Sequence, residues 1–180
     1  KAPLRADSDM YLDEEGKLRP GASINGALAA GIPGIPAALV RLAERYGKLE
    51  LSQSLSPAIR HARSGFPVSE YYQRMVGFRL AELQKNSAAS AVFLQQGDVP
   101  ELGYMIVQND LADTLQRISD SGFSGFYEGG LAWKMVRQVR KYGGIWTIKD
   151  LATYEVKERA PQVSIYKGMK LVAAALPSSG

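Results

Sequence analysis

Apolar and polar positions change their period along this chain. Residues 1–35 show none: Asp7, Asp9, Asp13, Glu14, Glu15, Gly16 and Pro20-Gly21 are turn formers, and the stretch reads as irregular. Pro36 then suits a first helical turn, where its missing N–H costs little. Leu39, Leu42, Ala43 and Tyr46 recur at i, i+3, i+4, i+7, which predicts a helix with one apolar face, stopped by Gly47. A second helix is expected from a Ser52 cap, with Leu55, Ala58, Ile59 and Ala62 on its face and Gly65 closing it. Ser69 is expected to cap a third, through Tyr72, Met75, Val76, Leu80 and Leu83, and residues 87–94 read as a short fourth. Asn109 is the expected cap of a fifth, whose face is Leu111, Ala112, Leu115 and Ile118. Gly129-Gly130 opens a sixth through Leu131, Trp133, Met135, Val136 and Val139, ended by Gly143-Gly144.

Thr147-Ile148-Lys149-Asp150 has the shape of a capping box with Asp in place of Glu, ahead of a helix of one to two turns. The period then shortens. Runs at 155–160, 162–166 and 169–174 are strand-like, separated by Pro161 and Lys167-Gly168. The expected fold class is α+β, with residues 1–35 irregular, 36–154 helical and 155–180 β-rich, in one domain.

The length agrees with one domain: 180 residues cannot comfortably hold two independent cores. Zero Cys removes disulfides, thiol nucleophiles, zinc fingers and iron–sulfur clusters, and a single His, His61, excludes a two-His metal site. No cofactor or metal is called for. A formal charge of +4 and a pI near 9.3 are a mild basic excess. The low-charge stretch 22–40 is broken by Gly26, Gly31, Pro33, Gly34 and Pro36, so no membrane span is expected there. The opening Lys1-Ala2-Pro3-Leu4 has no initiator Met, basic region or apolar leader, and reads as internal to something longer.

Candidate chemistry is thin. Gly31-Ile32-Pro33-Gly34 is followed by Ile35-Pro36 where a phosphate loop needs Lys-Ser or Lys-Thr, so it reads as a tight turn packed closely before a helix. Gly122-Phe123-Ser124-Gly125 misses the nucleophile-elbow spacing, because Phe126 stands where Gly is required, and reads as a turn. Asp7, Asp9 and Asp13 do not fit a calcium loop. His61 lies off its helix's apolar face and reads as a solvated side chain rather than a base. Lys134, Arg137, Arg140 and Lys141 share one face of the sixth helix, near Tyr127, Trp133, Tyr142 and Trp146. That pattern suits either a polyanion- or nucleic-acid-binding face or a solvated cationic face over core aromatics, and the second is the simpler reading.

The ordered segments say more than any one of them. Asp9-Met10-Tyr11-Leu12-Asp13, Ala29-Ala30-Gly31-Ile32-Pro33-Gly34, Arg45-Tyr46-Gly47-Lys48-Leu49, and Pro57-Ala58-Ile59 with Ala62-Arg63-Ser64-Gly65-Phe66 are followed by Gln108-Asn109-Asp110-Leu111-Ala112 and Phe126-Tyr127-Glu128-Gly129. Gly143-Gly144, Asp150-Leu151-Ala152-Thr153-Tyr154, Tyr166-Lys167-Gly168 and Pro177-Ser178-Ser179-Gly180 complete the series. In order and approximate spacing, the set resembles the large subunit of the gamma-glutamyltranspeptidases. It departs at Ala175-Leu176-Pro177, where a run of prolines is usual, and matches loosely over 71–101. Cephalosporin acylases and poly-gamma-glutamate-processing enzymes look similar, so the resemblance implies the superfamily rather than a subfamily.

The resemblance implies a helical fragment of an αββα N-terminal-nucleophile hydrolase. In such precursors, self-cleavage exposes a Thr that attacks the gamma-glutamyl carbonyl, its own α-amine serving as base. An Arg of the large subunit grips the substrate carboxylate. The alignment puts that Arg just upstream of Lys1 and the nucleophile well beyond Gly180, so none of Thr114, Thr147 and Thr153 is a candidate. No catalytic, substrate-binding or metal residue is therefore assigned. The implied partner is the remainder of the same precursor, with gamma-glutamyl substrates, no nucleic acid and no membrane. The implied location is periplasmic or secreted. A fragment without its partner is expected to be inactive and to self-associate.

Overall fold

The computed structural model describes residues 1–176. The β-turn of residues 3–6 and an Asp-rich loop lead to a single 3-10 turn, Ala27–Ala29. In that loop the Asp13 carboxylate accepts the Glu15 and Lys17 N–H groups, so it serves as a turn former. Helix α1, Ile35–Tyr46, starts after Gly34, with Pro36 in its first turn. Helix α2, Leu51–Ser64, begins at Glu50 rather than at Ser52. The Gln53 side chain accepts the Glu50 N–H, a reciprocal device that a search for Ser, Thr, Asp and Asn caps passes over. Strand β1, Phe66–Pro67, pairs antiparallel with β2, Met105–Ile106. Neither strand is long enough to show an alternation in sequence.

Helix α3, Glu70–Gln84, is capped by Ser69 as expected, and α4, Ser87–Phe93, by Asn86. Helix α5, Asn109–Tyr127, starts one position early, at Gln108, and is broken at Gly122, which sits at φ 55° and ψ −128°. The expected turn at 122–125 is therefore a kink at Gly122 alone, with Ser124 and Gly125 back in helix. The kink folds the second half of α5 against the first, so that a Cβ on Gly125 would lie 2.1 Å from the Arg117 carbonyl oxygen. Helix α6, Gly129–Lys141, and α7, Ile148–Ala152, follow, the latter with the expected Thr147/Asp150 capping box.

Helix α5 is the spine: it packs along α2 and also against α1 and α6. The core holds Val40, Leu55, Ile118, Phe126, Tyr127, Ala132, Val136, Trp146 and Leu151. Two expected faces are corrected here. On α1 the buried side is Ala37 and Val40, while Leu39, Leu42 and Tyr46 are 45%, 54% and 63% exposed. On α6, Ala132 and Val136 are buried and Trp133 is 63% exposed. On α1 the bulkier apolar stripe thus faces outward and Ala37 and Val40 face in, whereas on α6 Leu131, Met135 and Val139 pack against the core as expected and only Trp133 turns outward.

The C-terminal β element is a hairpin of β3, Gln162–Tyr166, and β4, Met169–Ala173. Lys167 and Gly168, at φ 48° and 78°, supply the two positive-φ positions of a tight two-residue turn. The run at 155–160 forms no strand. It lies over α1, where Glu158 pairs with Arg41 at 3.0 Å and with Arg45, and where Val156 packs on the core. The molecule is thus mostly helical α+β. The Pro177-Ser178-Ser179-Gly180 motif lies outside the described residues.

Candidate functional site

The chain's polar chemistry converges where the first residues, the glycine-rich loop and α7 meet. Gly34 approaches Tyr154 so closely that a Cβ there would stand 2.2 Å from the Tyr154 hydroxyl, which bears out the close packing expected of 31–34, although the segment is irregular rather than a turn. The Tyr127 hydroxyl donates to the Pro33 carbonyl at 2.8 Å and accepts the Ala37 N–H at 3.2 Å. It therefore satisfies one of the N–H groups left without a partner in the first turn of α1. The Tyr127 ring stacks on Phe123 and on Tyr154, with centroids 4.4 and 5.4 Å away. Burial pushes its phenol above the ordinary tyrosine range; Tyr154 adds to this, and the Ala37 N–H opposes it. Trp146 closes the loop's other end, its Nε1–H donating to the Ala30 carbonyl at 2.8 Å.

Asp150 is the one fully buried charged side chain among the described residues. Its Oδ1 accepts the Leu4 N–H at 2.5 Å, and its Oδ2 accepts the Thr147 N–H and Oγ1–H, both at 2.7 Å. Burial raises its pKa, but the Thr147 hydroxyl, the Leu4 and Thr147 N–H groups and the Lys1 charge together hold it below the usual aspartate value. Periodicity and capping signals identified the local Thr147/Asp150 pair; the link to Leu4, 146 residues away, leaves no mark in local sequence.

The sequence candidates stay apart. His61 is exposed in the last turn of α2. The Ser124 hydroxyl donates to the Ser121 carbonyl, and the Thr114 and Thr153 hydroxyls donate to helix carbonyls four residues back. Lys134, Arg137, Arg140 and Lys141 lie exposed on the outer side of α6, without a salt bridge among the described residues. Of the aromatics near them, Tyr127 and Trp146 are core, while Trp133 and Tyr142 are exposed. A groove of about 970 Å³ between α3, α4 and α6 has no Ser, Thr, Cys or His in its lining. Among the described residues, no cluster of three or more His, Cys, Asp or Glu could hold a metal, and no helix is long and apolar enough to cross a membrane. This polar node ties the first residues, the glycine-rich loop and α7 together, and among the described residues no assembled nucleophile is part of it.

The gamma-glutamyltranspeptidase family model matches residues 1–180. A glutathione hydrolase proenzyme of Pseudomonas sp. strain A14 is 40% identical over 181 residues, covering 100% of this chain and 32% of that protein. The structure of Helicobacter pylori gamma-glutamyltranspeptidase superposes with a TM-score of 0.96 at 38% identity, over 99% of this chain and 52% of that one. That of the Pseudomonas nitroreducens gamma-glutamyltranspeptidase complexed with L-DON gives 0.89 at 37% identity, again over 99% of this chain and 52% of that one. The chain thus spans about a third of the length of the curated relatives it matches. None of these likenesses supports a nucleic-acid-binding use of the α6 face. With the same order of segments and the same fold along its whole length, the chain belongs to the gamma-glutamyltranspeptidase family.

Proposed function

We propose that these residues are the middle of the large subunit of a gamma-glutamyltransferase or glutathione hydrolase precursor, one partial domain of it. The observation that carries this is the end-to-end superposition on the Helicobacter pylori enzyme, a TM-score of 0.96 over 99% of the chain. In this reading the precursor cleaves itself, and the Thr at the start of its small subunit attacks the gamma-glutamyl carbonyl. Its α-amine takes the proton, backbone N–H groups hold the oxyanion, and the acyl-enzyme passes to water or an amine acceptor. The Arg that grips the donor carboxylate lies in the segment leading into Lys1. Residues 1–180 supply scaffold: α5 and the Tyr127 and Asp150 contacts fix the loop and the entering segment that flank that site. The precursor is exported, to the periplasm or beyond.

The test is expression of the complete reading frame. Two subunits on a denaturing gel and turnover of a gamma-glutamyl anilide are expected, with no turnover by residues 1–180 alone. An unprocessed, inactive full-length protein, or activity of the 180 residues that survives purification, refutes the reading. Recovery of the processed enzyme in the cytosol refutes the export.

A further inference from the structure

We propose that Asp150 is a positioning residue, which clamps the entering chain to α7 and thereby sets the direction in which the segment before Lys1 runs. The proposal rests on the reading above for the use made of that segment, and on this structure alone for the clamp.

A Thr/Asp capping box does its local work at a solvated helix start, and α7 has only five residues to hold. Burying the carboxylate adds a desolvation cost that the cap does not require. What the burial provides is the third bond, from the Leu4 N–H at 2.5 Å, a charge-assisted contact across 146 residues of sequence. A second pin lies three residues earlier, where the Lys1 carbonyl accepts the Ile32 N–H at 2.8 Å. Between the two pins stand only Ala2 and Pro3, and Pro3 is buried with its φ fixed by its ring. The chain at Lys1 is therefore held on one side by the glycine-rich loop and on the other by α7. Its heading is over-determined, as is required of a backbone that presents a binding residue.

The geometry supplies a clean perturbation. Leu4 occupies the second position of a turn closed by the Ala6 N–H on the Pro3 carbonyl, a position that proline favours. Leu4→Pro is compatible with that turn, removes the N–H that Asp150 accepts, and puts the ring Cδ where the hydrogen stood, so the carboxylate has to move away from the chain. Asp150→Asn keeps the shape but offers one acceptor oxygen where the Leu4 N–H and the Thr147 donors use two, so one side faces an amide NH2. Thr147→Ala weakens the helix cap while leaving the Leu4 bond in place. In the full-length precursor, Leu4→Pro and Asp150→Asn are expected to speed hydrogen exchange of backbone amides in residues 1–6. They are also expected to raise KM for a gamma-glutamyl anilide roughly tenfold or more with kcat little changed, as a misplaced binding residue does. Thr147→Ala lowers the melting temperature and leaves KM within about twofold. A folded Leu4→Pro protein with wild-type exchange and wild-type KM overturns the proposal. So does a Thr147→Ala protein that matches Asp150→Asn in KM, because the role is then only the stability of α7. Should the wild-type precursor turn over no gamma-glutamyl donor, the functional reading falls, and the exchange experiment still decides whether the clamp exists.

Discussion

Tyr127→Phe removes one oxygen from the centre of the fold and leaves every apolar contact in place. That oxygen has two partners, the Pro33 carbonyl at 2.8 Å and the Ala37 N–H at 3.2 Å, and Tyr127 is fully buried. Without it, both backbone groups face the bare edge of the ring at position 127 instead of a hydroxyl. A buried donor or acceptor left without a partner costs about 1–3 kcal/mol, and two such groups place the expected loss in the upper half of that range. Truncation to Ala would add the loss of ring burial, about 3–5 kcal/mol, and would confound the two effects. The assay is native-state hydrogen exchange of the Ala37 amide, which reports the first turn of α1 directly. Its protection should fall by roughly 30- to 150-fold in the Phe variant, while amides in the middle of α3 keep theirs, since α3 has no contact with this hydroxyl. Unchanged protection at Ala37 would show that the hydroxyl is dispensable and refute the node as drawn.

Three further outcomes are expected. Because the folded-state pKa of Asp150 lies below its unfolded value, its contribution is complete above about pH 4 and is lost as pH falls through the lowered value, so Asp150→Asn should flatten the acid limb of thermal stability against pH. Gly125→Ala puts a methyl 2.1 Å from the Arg117 carbonyl oxygen and should lower stability by about 1–3 kcal/mol in denaturant titrations; an unchanged midpoint would mean that the α5 kink is not the close contact described. Residues 1–180 alone should self-associate and bind a dye that reports apolar surface, given the exposed Leu39, Leu42 and Tyr46 of α1 and Val163, Ile165, Leu171 and Val172 of the hairpin; a monomer by sedimentation with no dye binding would count against this.

What the sequence shows and what it hides divide along a physical line. Most signals that act within a few residues were legible: the Ser69 cap, the Thr147/Asp150 box and the Lys167-Gly168 turn are each complete in a short window, although the equally local Glu50/Gln53 box, built from residues outside the usual cap set, was not. Signals that depend on what lies across the fold were not. Nothing near Asp150 announces Leu4, and nothing near Tyr127 announces Pro33, because those partners are set by the packing of α5 and α7. The α1 face shows the same limit from the other side. Its 3.6-residue period correctly marked a helix, but the stripe of largest side chains is exposed and the small residues Ala37 and Val40 are buried. A hydrophobic period records which residues avoid water in the whole protein, and this chain matches about a third of its relatives' length. On the reading proposed above, the outward stripe of α1 and both faces of the β3–β4 hairpin are surfaces that the rest of the precursor covers. Periodicity then identifies apolar faces truthfully while assigning them to the wrong neighbour, and such a mismatch is itself a sign that the burying partner lies outside the residues in view.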